Sequence, residues 1–329
     1  MKKTLKLFGV FAACIPVAAL TACGLKPAAD PAATYQAFAE KYHTARKELL
    51  VGEAYFTSYN SVTISAKGAK GTLEQRTVTD ADIETANGLV TKGAIWATQD
   101  SSTELGEEKE SYDLSLEGYI TNGGFYQKQT LSTAENTTEE TTVEPFTAED
   151  GTNIYAETLF FPTEEFIEEY CLAEELEVKC NKSNTQMQMS APLNPLVFFS
   201  ELNTVSSVLG DYEYDYDTSL TYTIRFDNAG NLLYTEMELY CKATAIAPQA
   251  TEADDDQSVD GENSENGETE NDSAATPAPI DSVTITAYSR VNIKDASTVR
   301  LPSQSQLESF KPQDTIPDET PDDKNNDGE

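Results

Sequence analysis

Short runs in which apolar and polar residues alternate one for one recur along most of this chain, and nothing else limits its fold as tightly. Leu220, Tyr222, Ile224 and Phe226 alternate with Thr221, Thr223 and Arg225. Val283, Ile285, Ala287, Val291 and Ile293 keep the same period, as do Val62 with Ile64 and Leu114 with Leu116 and Ile120. Successive side chains of a strand point to opposite faces, so each run is a strand with one face buried. Residues 72–78 are expected to pair with the strand at Val62 across a turn at 67–71, and residues 88–98, with Trp96, form the next strand. Asn122-Gly123 between alternating runs predicts a tight hairpin into residues 125–131. Leu233, Met237, Leu239 and Cys241 return from a turn at Asp227-Asn228-Ala229-Gly230. Residues 132–142, rich in Thr and Glu, are expected to form an exposed tip or loop, and residues 176–189 resume an extended pattern.

Three stretches break the period of two. From Thr34, an N-cap candidate, Tyr35, Phe38, Ala39, Tyr42 and Leu49 share one helical face, and Gly52 ends the run. His43 lies one position round from that stripe; without a second His to build a metal site or relay, it reads as a boundary residue. Residues 163–172 set Phe166, Ile167, Tyr170 and Cys171 opposite four glutamates. Asn194 as N-cap, Pro195 at the first helical position and Gly210 as terminator predict a further helix carrying Phe198, Leu202, Val205 and Leu209. Helix, antiparallel strands, two helices and more strands, without βαβ alternation, define an α+β chain.

The first residues are an address. Lys2, Lys3 and Lys6 precede an apolar stretch at 7–20, too short for a membrane span, and then Leu20-Thr21-Ala22-Cys23-Gly24. This resembles the lipobox of bacterial lipoproteins. The resemblance implies removal of residues 1–22 and acylation of the Cys23 thiol, with an extracytoplasmic domain anchored to the cell membrane through its N-terminus. Residues 23–33 would be a Pro/Ala tether. Outside the cytoplasm disulfides form. Cys171 and Cys180 close the shortest loop among Cys171, Cys180 and Cys241 and are the candidate pair, with three buried thiols the alternative.

Charge narrows the partners. Lys and Arg number 22 against 57 Asp and Glu, a net −35, so nucleic acid and anionic lipid heads are repelled. Residues 249–280 carry ten Asp and Glu, no Lys or Arg and no apolar cluster; they are expected to be disordered, inserted in a hairpin whose arms lie around Leu239 and Ile285. The single globular domain is expected over 34–301, followed by an acidic, disordered tail at 302–329. Asp323, Asn325, Asp327 and Gly328 match half of a calcium loop, but the chain ends before the twelfth ligand, so no metal site is expected.

With the lipobox, the tether, the N-terminal amphipathic helix, the meander, the strand–turn–strand at 220–232 and the Asn194-Pro195-Leu196 helix opening, the chain resembles the bacterial lipoproteins of the LolA/LppX-like group. The resemblance implies a strongly curved antiparallel sheet, a half-barrel, with the N-terminal and two internal helices packed on one side. It also implies carriage of an apolar, lipid-like molecule in the hollow. Trp96, Leu116, Ile224 and Phe226 are the candidates to line it, with ordinary core the alternative for the same residues. The expected function is a binding module or sensor for such a ligand; the alternative is a structural lipoprotein that binds a cell-surface protein. The chain is not expected to be an enzyme and no cofactor is implied. It has one His, no Gly-x-Ser-x-Gly, no His-Glu-x-x-His and no Gly-rich phosphate loop.

Overall fold

The computed structural model of the protein describes residues 24–121, 124–146, 159–246 and 281–310. The alternating runs assemble into one antiparallel sheet of two meanders. Strands β2 (Glu53–Gly68), β3 (Gly71–Ala86), β4 (Leu89–Leu105), β5 (Glu108–Thr121), β6 (Gly124–Thr133) and β7 (Thr137–Glu144) follow one another to one edge. Strands β8 (Glu177–Cys180), β9 (Gln186–Ala191), β10 (Tyr214–Phe226), β11 (Leu232–Ala245) and β12 (Ser282–Lys294) form the second meander. The meanders join where β12 pairs with β2, with Ile285 opposite Ile64 and Ala287 opposite Val62. A two-residue strand β1 (Lys26–Pro27) adds to the free side of β8. The edges β1 and β7 do not pair, so the curved sheet is open rather than a closed barrel. The α+β class and the curved antiparallel sheet expected from the sequence are what the structure has.

One face of the sheet holds the main core. Helix α1 (Pro31–Val51) crosses it from β8 to β2 and buries Tyr35, Phe38, Ala39, Tyr42 and Ala45. Helix α2 (Glu164–Tyr170) and α3 (Phe199–Thr204) flank it on the side of β11 and β12. The opposite face is crossed by the chain after β12. There helix α4 (Gln304–Glu308) inserts Leu307, with Phe310 behind it, against Ala94, Tyr119 and Tyr126.

Turns follow the local chemistry. The β3–β4 hairpin closes on Asn87-Gly88, with φ of 53° and 75°, the paired left-handed conformations that a two-residue turn needs. Gly68, before the β2–β3 turn, lies so close to the carbonyl of Val208 that a Cβ would fall 2.3 Å from its oxygen. The β5–β6 pairing runs to Thr121 opposite Gly124; Asn122 and Gly123 themselves lie outside the described residues.

Several expected boundaries move. Asp30, not Thr34, caps α1: its carboxylate accepts from the Ala33 N–H at 3.0 Å and Pro31 takes the first turn. The stretch read as a tether at 23–33 therefore includes a strand pairing and the start of a helix. The helix expected over 194–210 is broken into a 3-10 turn (Pro195–Phe198), α3 and a second 3-10 turn (Val205–Ser207). Burial of Phe198, Val205 and Val208 outweighs regular geometry in a segment rich in β-branched residues. Of residues 132–142, expected as an exposed tip or loop, 137–142 belong to the exposed edge strand β7. Leu233 points to solvent because a bulge between Arg225 and Phe226 shifts the register and turns Leu232 inward instead. The packed chain continues past Leu301 to Phe310. The signal and lipobox, the 249–280 insert and the half calcium loop all lie outside the described residues.

Candidate functional site

The centre of the hollow is filled by the chain itself. Residues 159–162 thread between α1 and the sheet, and three tyrosines hold them. Tyr42 donates to the Leu159 carbonyl at 2.7 Å, Tyr222 to Phe160 at 3.0 Å and Tyr35 to Pro162 at 2.7 Å. The Phe161 ring stacks on Tyr42 at 5.0 Å and meets Tyr222 edge-on at 5.5 Å. Burial pushes the Tyr35 hydroxyl up to about 12 and raises Tyr222 well above the ordinary tyrosine value, so these donors keep their protons at neutral pH.

Beside this plug an apolar cleft of about 430 Å³ remains open, within the usual range of small-molecule sites. Its floor is Met237 and Leu239 of β11 with Ile285 and Ala287 of β12. These strands are neighbours, with Leu239 directly opposite Ala287, so strict alternation delivers four apolar side chains to one patch. One wall is aromatic. Phe160 meets Phe166 at 5.4 Å and Phe166 meets Tyr170 at 5.2 Å, the last two one helical turn apart on α2. Thr163 fixes that helix, its hydroxyl accepting from the Phe166 N–H. The other wall is formed by Leu196, Val197, Phe198, Ser200 and Glu201 of an irregular segment, which leaves the lining residue Leu196 69% exposed. Glu201 supplies the cleft's carboxylate, and burial raises its pKa.

The residues expected to line a ligand hollow lie elsewhere. Ile224 and Phe226 are buried in the main core, Phe226 packing on Phe38 at 6.1 Å. Leu116 packs partly buried against the same core. Trp96 is on the opposite face of the sheet, 38% exposed and edge-on to Tyr119. For Leu116, Ile224 and Phe226 strand periodicity gives the face but not the position along the hollow, whereas Trp96 lies on the other face altogether. The cleft's own lining was legible only in part: the inward phase of β11 and β12 and the helical stripe Phe166–Tyr170 were visible, their meeting was not.

The candidate disulfide does not form. Cys171 and Cys180 are free, as is Cys241. Cys171 bridges to Leu193, whereas Cys180 sits at the far end of β8 opposite Lys26 and Met187. The 3-10 turn Ala173–Glu175 and the strand itself separate them. Burial pushes the Cys171 thiol up to about 11; burial, with Asp217 and Glu201 nearby, pushes Cys241 to about 12. Neither is a nucleophile at neutral pH. His43 is exposed on α1 beside Tyr42. Among the described residues no cluster of three His, Cys, Asp or Glu is placed to hold a metal, and no helix is long and apolar enough to cross a membrane.

No family model matches the chain, and no curated protein matches it. Among solved structures it is similar to a β-barrel-like protein of domain of unknown function DUF1849 from Brucella abortus. That match has 6% identity and a TM-score of 0.22, over 74% of this chain and 99% of the other. Its own strand pairing defines its class: an open, curved antiparallel sheet with helices in the hollow and an apolar cleft beside them.

Proposed function

We propose that the protein is a non-catalytic, membrane-anchored extracytoplasmic binding module for an apolar, lipid-like ligand, akin to the LolA/LppX-like lipoproteins. The observation that carries this reading is the apolar cleft over β11 and β12, with uncovered Leu196 in its lining. The anchor in this reading is acyl chains on Cys23. Because β1 is hydrogen-bonded to the sheet edge two residues after Gly24, the anchored domain would sit close to the membrane rather than on a long tether.

The alternative, a structural lipoprotein that binds a cell-surface protein, draws its support from the plug at 159–162, which fills the centre of the hollow. One experiment tests the anchor that both readings share, and a second separates the readings. Cys23→Ala moves the protein from the detergent phase to the aqueous phase if the anchor is as proposed; unchanged partitioning refutes it. Native mass spectrometry of the Cys23→Ala protein shows a co-purifying apolar compound that is lost in Ala287→Phe. A bare protein that captures a surface protein instead supports the alternative.

A further inference from the structure

The described cleft has an uneven set of polar groups. Its lining includes one carboxylate, Glu201, and the hydroxyls of Tyr170 and Ser200, but no Lys, Arg or His. Burial raises the pKa of Glu201. The negative field of that corner reaches Cys241 on the floor strand, where Asp217 and Glu201 both oppose thiolate formation. The facing wall is three successive aromatic rings, Phe160, Phe166 and Tyr170, spaced 5.4 and 5.2 Å apart. Aromatic faces attract cations, and a carboxylate held partly out of water has most to gain from a positive partner.

We propose that the cleft selects cationic amphiphiles, an alkyl chain lying over Met237, Leu239, Ile285 and Ala287 and an amine or quaternary ammonium head held between Glu201 and the aromatic wall. This rests on the cleft being the ligand site and adds the sign of the ligand's head. A fatty-acid anion of the same length would place two carboxylates together with no cation between them. A neutral alcohol would gain the apolar contacts alone.

The test is calorimetric titration of the chain from Gly24 onward, which keeps every described residue, with decyltrimethylammonium and decanoate below their micellar concentrations and decanol below its solubility limit. The expected order is decyltrimethylammonium about tenfold tighter than decanol, with decanoate weakest. Glu201→Gln, close in size and shape, should bring the cation to within about twofold of decanol and leave decanol unchanged. Phe166→Leu, which keeps an apolar side chain, should weaken the cation more than decanol. Circular dichroism melts establish that both variants are folded. Decanoate binding as tightly as the cation, or a preference for the cation that survives Glu201→Gln, overturns the proposal while leaving the cleft as a ligand site. Failure of all three probes to bind overturns the cleft reading and this proposal together.

Discussion

Asp281 shows how much one side chain organises. It is fully buried at the start of β12, and its two carboxylate oxygens accept from the Ala69 N–H at 2.8 Å, the Gly210 N–H, and the Tyr214 hydroxyl at 3.3 Å. The β2–β3 turn, the end of the irregular helical segment and the start of β10 are thereby tied to one residue. Hydrogen bonds to a charged acceptor each contribute about 1.5–3 kcal/mol. Asp281→Ala leaves backbone donors unpaired, so it should cost on the order of 3 kcal/mol or more in urea unfolding. A loss below about 1 kcal/mol would show that water replaces the carboxylate. The buried tyrosines predict a pH response. Tyr222 ionises at 10.0 when unperturbed and well above that when folded. The folded state therefore holds a proton that the unfolded state releases, and the contribution to stability is full below pH 10 and falls as pH rises through and beyond it. The melting temperature should be level from pH 7 to 9 and fall towards pH 11. Tyr222→Phe should melt lower at pH 8, having lost its bond to Phe160, yet fall less steeply above pH 10. An identical alkaline slope in the two proteins contradicts the assignment.

At the scale of elements, β12 is the strand on which the sheet depends, paired along its length with β11 and with β2. Truncation at residue 248 removes it, exposes two strand edges, and unburies Val283, Ile285 and Val291. At about 1.5–3 kcal/mol per side chain that loss is comparable to the stability of a whole domain, so the truncated chain should not fold. The acidic run before β12 is different. Thr244 pairs with Ser282, so the strands on either side of it are already neighbours. Replacing residues 247–280 by four should leave the fold intact and raise stability by up to about 2 kcal/mol through closure entropy. A cooperative melt of the truncation near the parent temperature, or loss of folding in the loop deletion, would contradict this reading. The segment after β12 is also structural. Phe310 meets Tyr119 at 5.9 Å and Tyr126 at 6.5 Å, both edge-on, so Phe310→Ala should cost about 3 kcal/mol in chemical denaturation.

For the molecule as a whole, what the sequence reveals depends on the range of the force involved. Period-two patterning is local, and it delivered most of the strands, their buried faces and the pairing of the arms around residues 239 and 285, but neither the polar edge strand β7 nor the two-residue β1. The Asp30-Pro31 cap was equally local but was masked by the Pro/Ala composition that suggested a tether. The strap at 295–310 was not legible. Leu307 and Phe310 stand in a polar context, and only the sheet face bearing Ala94, Tyr119 and Tyr126 gives them a partner. The same limit displaced the ligand-facing candidates. Periodicity marked Leu116, Ile224 and Phe226 as inward, but the position of the open space depends on where residues 159–162 and the 195–207 segment settle. The proposal that the cleft over β11 and β12 takes an apolar ligand is tested most directly by methyl NMR during titration with decanol. The methyl signals of Met237, Leu239, Ile285 and Ala287 should shift together and saturate, while those of Leu116 and Ile224 stay in place. Shifts confined to Leu116 and Ile224, or no saturable shift at all, would contradict it.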